Sequence, residues 1–337
     1  MVRFIGIDIG QRMCEIAIAE DGRVRSAGRI ATTREQLELF AQSLGPDDHV
    51  ALEAGSSTFA ITRILEPHVA RVVVANTKKL RQISHAKAKT DTLDARTLAR
   101  LLATGMLDEV WLPDERTREQ RRWIARRVQL VRQRTRSKNE IHAVLARNLI
   151  ESPPVSDLFG KQGRAWLDEQ RLAPDEQTTM RGCLRQIAFL DGEIAIIERE
   201  LARHALGCEE IRRLMSVPGV DLVVAATFMA QIGDIRRFAS AKKLVGYLGL
   251  DPKVRQSGNA PARHGKISKE GASEVRHVLC EAAKSAARTP GPMHAFAQRI
   301  RARRGNNIAT IAVAASCACC SGTCSPAART TPTRAHR

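Results

Sequence analysis

No apolar run in the chain approaches the ~20 residues that a membrane-spanning helix needs. The N-terminus lacks the charged-then-apolar layout of a secretory leader. Both absences lead us to expect a soluble, intracellular protein. Negative charge is also short: 36 Asp and Glu stand against 54 Lys and Arg, leaving +18 over 337 residues. The excess is spread along the chain and not confined to one tail, which calls for a polyanionic partner, nucleic acid ahead of a membrane. Of the eight cysteines, Cys14, Cys183, Cys208 and Cys280 are scattered and read as reduced thiols. With 43% hydrophobic residues the chain has material for about two or three domains.

The first third alternates strands with helical stretches. Phe4 to Gly10, Cys14 to Ala19 and Arg23 to Ile30 read as a meander turning at Glu20-Asp21-Gly22. His49 to Gly55 and Arg71 to Ala75 give two more strands, with helices near Arg34 to Leu44 and Ser57 to Leu65. The result is an α/β sheet. Asp8 closes the first strand and Glu53 the fourth, so their carboxylates share one sheet edge if those strands are neighbours. Further on, Asp91 and Asp94 stand i, i+3 at the start of a helix reaching Leu102, on one face and within reach of a shared cation. Lys87 and Lys89 just before them would hold a polyanion. Four carboxylates suit a hard cation such as Mg²⁺, and clusters of this kind serve two-metal phosphoryl chemistry. The competing reading of Asp91 and Asp94 is dipole compensation in a first helical turn. Asp8 inside an apolar strand is costly without a partner.

The opening Gly6-Ile7-Asp8-Ile9-Gly10 also resembles the first phosphate loop of actin-like sugar kinases. What is missing is the second glycine-rich nucleotide loop that such enzymes need, and so basic a surface has no use there.

From Asp114 to Leu149 arginines are interleaved with Ile124, Val128, Val131, Ile141, Val144 and Leu145, the pattern of a long helix with a basic face. One-signed charge repels itself unless phosphates screen it, so Arg121, Arg122, Arg126 and Arg127 are candidate nucleic-acid contacts. After Pro153-Pro154, Met180, Cys183, Ile187, Leu190, Ile194, Ile197 and Leu201 recur in steps of three and four, a coiled-coil seam. The seam serves self-association or packs on the preceding basic helix within the chain; we favour self-association.

Pro218-Gly219 ahead of the helical Leu222 to Ile232 is a turn whose amides can hold phosphate. A helix and turn across Phe238 to Pro252 lead to the polar loop Val254 to Asn259, and a further helix spans Ala272 to Ala287. Within the loop, Ser257 beside Gly258 has Arg255, Arg263 and Lys266 near in sequence. A hydroxyl so placed can attack a phosphodiester and stay attached. Without other information a Ser-Gly pair is merely a turn.

The order Asp8, Glu53, Asp91, Asp94, the phrase Lys89 to Ala95, the Val217-Pro218-Gly219-Val220 turn, and Gly249-Leu250-Asp251-Pro252 leading to Gln256-Ser257-Gly258 together resemble the DEDD transposases of the insertion-sequence-110 family, relatives of the Piv invertases. The resemblance covers about residues 3 to 313. It implies a bacterial cytoplasmic protein, nucleoid-associated when active, with a RuvC-like, RNase H-type α/β domain over 1–112, a basic helix and coiled coil over 113–207, and a mainly α transposase domain over 208–313. By the same resemblance the four carboxylates bind Mg²⁺, and Ser257 forms a covalent phosphoserine link to DNA. It further implies a homo-oligomer, dimer or tetramer, combining the acidic cluster of one protomer with the serine of another. The partners implied are donor and target DNA and a structured bridge RNA. The alternatives are a RuvC-like nuclease that hydrolyses with water, and an inactive nucleic-acid-binding remnant.

Residues 314–337 do not fit that pattern: Cys317, Cys319, Cys320 and Cys324 precede a Pro, Thr and Arg ending where the family continues as a basic and aromatic helix. Permitted codons read from the third base of the Ala314 codon yield a Leu-rich aromatic helix, so we expect a frameshifted tail whose apolar contacts are lost. A zinc site has poor spacing here.

Overall fold

The computed structural model describes residues 2–76, 91–258 and 261–323, the side chains of 91–93 and 320–323 lying outside that description. The chain forms two compact units, Met1–Leu112 and Pro113–Arg337.

In the first unit β1 (Phe4–Ile9), β2 (Met13–Glu20), β3 (Arg23–Ala31), β4 (His49–Glu53) and β5 (Arg71–Ala75) form one sheet in the order β3-β2-β1-β4-β5. The first three strands are antiparallel, and β4 and β5 run parallel to β1. Asp21 and Gly22 both take positive φ, 48° and 75°, as a two-residue hairpin between β2 and β3 requires. Period-two alternation sorts the two faces. Ile5, Ile7, Ile16 and Leu52 are buried on one face, in one cluster with Leu37 and Ala41 of α1 (Arg34–Gln42) and Ile61 and Leu65 of α2 (Thr58–Leu65). The other face is built of small residues, Gly6, Ala17, Ala19 and Ala51, and α3 (Asp91–Ala103) lies close upon it through Ala95, Leu98, Ala99 and Leu102. At Gly6 the approach is so tight that a Cβ would stand 2.2 Å from the Ala95 carbonyl oxygen.

The second unit opens with α4 (Glu115–Arg147), capped by Asp114, whose carboxylate accepts the Thr117 amide at 2.7 Å. After α5 (Lys161–Asp168), α6 (Pro174–Leu206) returns antiparallel to α4, as the ion pairs Arg127–Glu198, Arg134–Asp191 and Arg147–Glu176 require. Met180, Cys183, Ile187, Leu190, Ile194, Ile197 and Leu201 are all buried. The stripe is therefore buried, and within the chain it packs on the basic helix α4. That is the alternative to the self-association we favoured, and Ile124, Leu130, Ile141, Val144 and Leu145 of α4 supply the matching apolar stripe.

α7 (Glu209–Leu214), α8 (Leu222–Ile232), α9 (Ala241–Tyr247), α10 (Ser273–Ala286), α11 (Pro292–Arg304) and α12 (Asn306–Thr323) complete this unit. One hydrophobic core joins Leu190 to Ala205 of α6 with Phe228 of α8, Leu279 of α10 and Val313 of α12. The two regions expected over 113–207 and 208–313 thus share a core. Between α9 and α10 stands a two-stranded antiparallel ribbon, β6 (Pro252–Arg255) and β7 (Arg263–Ile267); its first strand overlaps the start of the loop expected over Val254 to Asn259, and its second was not expected as a strand. The helix expected to be lost after Val313 is present among the described residues: α12 runs on to Thr323 and buries Ala314, Cys317 and Ala318. Alanine is the strongest helix former and small side chains pack closely, so the altered composition is still helix-compatible. Among the described residues no helix is long and apolar enough to cross a membrane.

Candidate active site

β1 and β4 are neighbours in parallel register, Gly6 opposite Ala51 and Ile7 opposite Leu52. The next residues along are Asp8 and Glu53, on strands ~4.8 Å apart and on the face that Gly6 and Ala51 share. Both are half-buried at the carboxyl ends of their strands. The turns that follow are pinned by threonines. Thr32 donates its hydroxyl to the Gly10 carbonyl at 3.0 Å, and Thr58 donates to the Glu53 carbonyl at 2.9 Å while accepting the Gly55 amide at 2.7 Å. Asp91 opens α3, the helix covering this same face, and the half-buried Asp94 adjoins Ala95, whose carbonyl overlies Gly6. The sheet thus pairs Asp8 with Glu53, and the helix carries Asp94 to the face they occupy.

Among the described residues no group of three or more His, Cys, Asp or Glu side chains is placed to hold a metal ion. The fourth carboxylate of the expected set, Asp91, has its side chain outside those residues. The donors on hand, carboxylate oxygens at one sheet edge, match a hard cation.

A further carboxylate escaped sequence reading. Glu15 stands directly across from Asp8 in the β1–β2 ladder, is only 6% exposed, and pairs with Arg29 of β3. Its signal was available: Glu15 shares a face with Ala17 and Ala19, a charge in a row of small buried residues. Nearby, burial pushes the Cys14 thiol up and the Asp8 charge adds to that, against a hydrogen bond to Thr32. Cys14 is accordingly a protonated core thiol.

Ser257 is exposed in the segment joining β6 to β7. The base of the ribbon is braced: Ser268 donates its hydroxyl to Asp251 at 2.6 Å and its amide to the Asp251 carbonyl at 2.8 Å. Gly249, at φ 68°, leaves no room for a side chain beside the Glu270 amide. The Gly249-Leu250-Asp251-Pro252 phrase therefore anchors the arm that presents the serine.

The basic candidates divide. Lys87 and Lys89 lie outside the described residues. Arg121 donates to the Ala230 and Gln231 carbonyls at 2.7 and 2.9 Å, and burial pushes its guanidinium below the ordinary arginine range. It neutralises the C-terminal end of α8. Arg127 is held by Glu198 at 2.8 Å. These two serve the fold. Arg122 and Arg126 are exposed, with Arg122 reaching Glu115 at 2.9 Å, and Arg255 and Lys266 are exposed on the ribbon. At the Pro218-Gly219 turn the Val220 amide is taken by the Val217 carbonyl, and the Asp221 carboxylate caps α8 by accepting the Val224 amide at 2.8 Å. A carboxylate thus sits where a phosphate was expected. Gly219, at φ 85°, instead permits close packing on α10, where a Cβ would meet the Ala282 carbonyl oxygen at 2.5 Å.

A family model described as a transposase, for the DEDD enzymes of IS110, matches residues 5–149, and one described as the IS116/IS110/IS902 transposase family matches residues 211–298. A protein of Sinorhizobium fredii named as a transposase, y4qE, is 30% identical over 286 residues, covering 83% of this chain and 70% of the relative. The chain belongs to the IS110-type transposase family. The transposase for insertion sequence IS1328 of Yersinia enterocolitica is 26% identical, over 84% of this chain and 83% of the relative. That for IS1111A of Coxiella burnetii is 26% identical, over 67% and 64%. This IS110-type protein is accordingly a DNA transposase of an insertion element, with a mixed α/β first unit.

Proposed function

We propose that this transposase cuts and rejoins DNA through a covalent phosphoserine at Ser257, with Asp8, Glu53, Asp91 and Asp94 as its metal-binding carboxylates on a RuvC-like, RNase H-type sheet. The observation that carries the reading is the pairing of Asp8 and Glu53 at the ends of adjacent parallel strands, under the helix that bears Asp94. Mg²⁺ held there would supply positive charge to the oxygens of the scissile phosphate. Ser257 Oγ forms a bond to phosphorus as the P–O bond to the departing sugar oxygen breaks. The serine proton passes to solvent and the sugar oxygen takes one up. Because one phosphoester replaces another, the bond energy is kept for rejoining and no ATP is consumed. Arg122, Arg126, Arg255 and Lys266 hold the DNA backbone, and a structured bridge RNA selects donor and target. The protein works as a homo-oligomer, dimer or tetramer.

The test is adduct trapping on denaturing gels. Ser257→Ala is expected to abolish the protein–DNA adduct, and strand exchange persisting in that variant refutes the assignment. Asp8→Asn is expected to abolish cleavage and leave nucleic-acid retention intact, since it removes no positive charge.

A further inference from the structure

The last pair of the ribbon before its connecting segment is Arg255 opposite Arg263. Residues directly opposite in an antiparallel pair send their side chains to the same face, about 4.5–5.5 Å apart at Cβ, and like charges so placed are destabilising. Both arginines are exposed, and among the described residues neither makes an ion pair. By contrast, many arginines elsewhere in this unit are matched with carboxylates, Arg127, Arg134, Arg147 and Arg164 among them. Ser257 follows Arg255 by two residues, so the chain's reach keeps their Cα atoms within about 7 Å. Two forked cations at the neck of a segment that presents a hydroxyl match the non-bridging oxygens of one phosphate.

Resting on the reading of Ser257 as nucleophile, we infer that Arg255 and Arg263 form a two-arginine clamp on the phosphodiester that Ser257 attacks. The clamp holds the phosphate in line with Oγ and stabilises the extra negative charge of the five-coordinate transition state. It moves no proton: the Oγ–P bond forms, the P–O bond to the sugar breaks, and proton exchange is with solvent as above. The mutual repulsion of the arginines is relieved only when the anion is bound, so the ribbon is built for an occupant of that charge.

The experiment uses the full chain, a nicked duplex spanning the end of the encoding element and its flank, and RNA transcribed from that flank. Adduct formation is timed on the native phosphate and on a duplex with an uncharged methylphosphonate at the linkage to which wild-type protein becomes attached. Arg255→Ala and Arg263→Ala are each expected to slow adduct formation by about 10²-fold or more on the native phosphate. Each is expected to come within a few-fold of wild type on the methylphosphonate, which has less charge to neutralise. Arg263→Glu controls for folding, because a carboxylate opposite Arg255 is favourable; it should melt at or above the wild-type temperature and still lose the adduct. Variants as fast as wild type on the native phosphate overturn the clamp, as do variants equally impaired on both substrates or an Arg263→Glu protein that keeps the adduct. Absence of an adduct from wild-type protein overturns the clamp and the nucleophile together.

Discussion

Gly6 is the residue on which the carboxylate edge depends most directly, because α3 can lie on β1 only where no side chain intervenes. Gly6→Ala places a Cβ against backbone atoms of Ala95 and Ala99 that cannot swing away. We expect a cost of about 1–3 kcal/mol in stability and a fall in adduct yield with it, read by chemical denaturation and denaturing gels. A second residue-scale prediction concerns Asp48, which ties the start of β1 to the loop before β4. It accepts Arg3 Nε at 2.9 Å and the Gly45 amide at 2.7 Å. Burial works against its ionisation, but the hydrogen bond and charge of Arg3 and the Gly45 amide outweigh it and hold the carboxyl below its usual range. A lowered folded value means stability that is present above the unfolded value, about 3.9, and lost as pH falls through the folded one. The melting temperature of wild type should therefore drop below about pH 4, and Asp48→Asn should lose about 1–3 kcal/mol at neutral pH while flattening that acid limb. Asp8 and Glu53 were legible in the sequence because each ends an apolar run. Thr58 was not, since its role arises from turn closure; Glu15 carried a signal, a charge among small residues, but its place opposite Asp8 follows from register, which one strand alone does not reveal.

Elements with a strong period could be read from the chain itself. The five strands, α3, the basic helix and the seam helix all follow from spacing, and so does α8, whose Asp221 cap precedes an apolar run. What spacing leaves open is the partner of an apolar stripe, and for α6 that partner is α4. Ile187, fully buried in that contact, tests it: Ile187→Ala should cost about 2–5 kcal/mol in urea unfolding of the full chain, with no change in oligomeric state by sedimentation. A change in assembly with stability intact would assign the seam to a second copy after all. The ribbon could not be read because its strands are short, exposed and carry charge where strands ordinarily alternate. α12 was misjudged for the opposite reason, its composition drawing attention away from an Ala-rich stretch that still buries one face.

At the scale of the molecule, the proposed chemistry is divided between two units, carboxylates on the first and the serine on the second, over a chain with a net charge of +18. That charge gives affinity for a polyanion without choosing its sequence, which is why composition named nucleic acid but no site. The family membership was legible because its motifs are spread in order along most of the chain, each weak alone. The division into units was less so, since a core shared by α6, α8, α10 and α12 is made by contacts far apart in sequence. The central claim is that Asp8 and Glu53, with the start of α3, bind a divalent cation. The direct measurement is anomalous diffraction from crystals of the full chain soaked in Mn²⁺. The expected result is a peak within bonding distance of both Asp8 and Glu53 carboxylates that disappears in Asp8→Asn; a peak elsewhere, or none at that edge, contradicts the account.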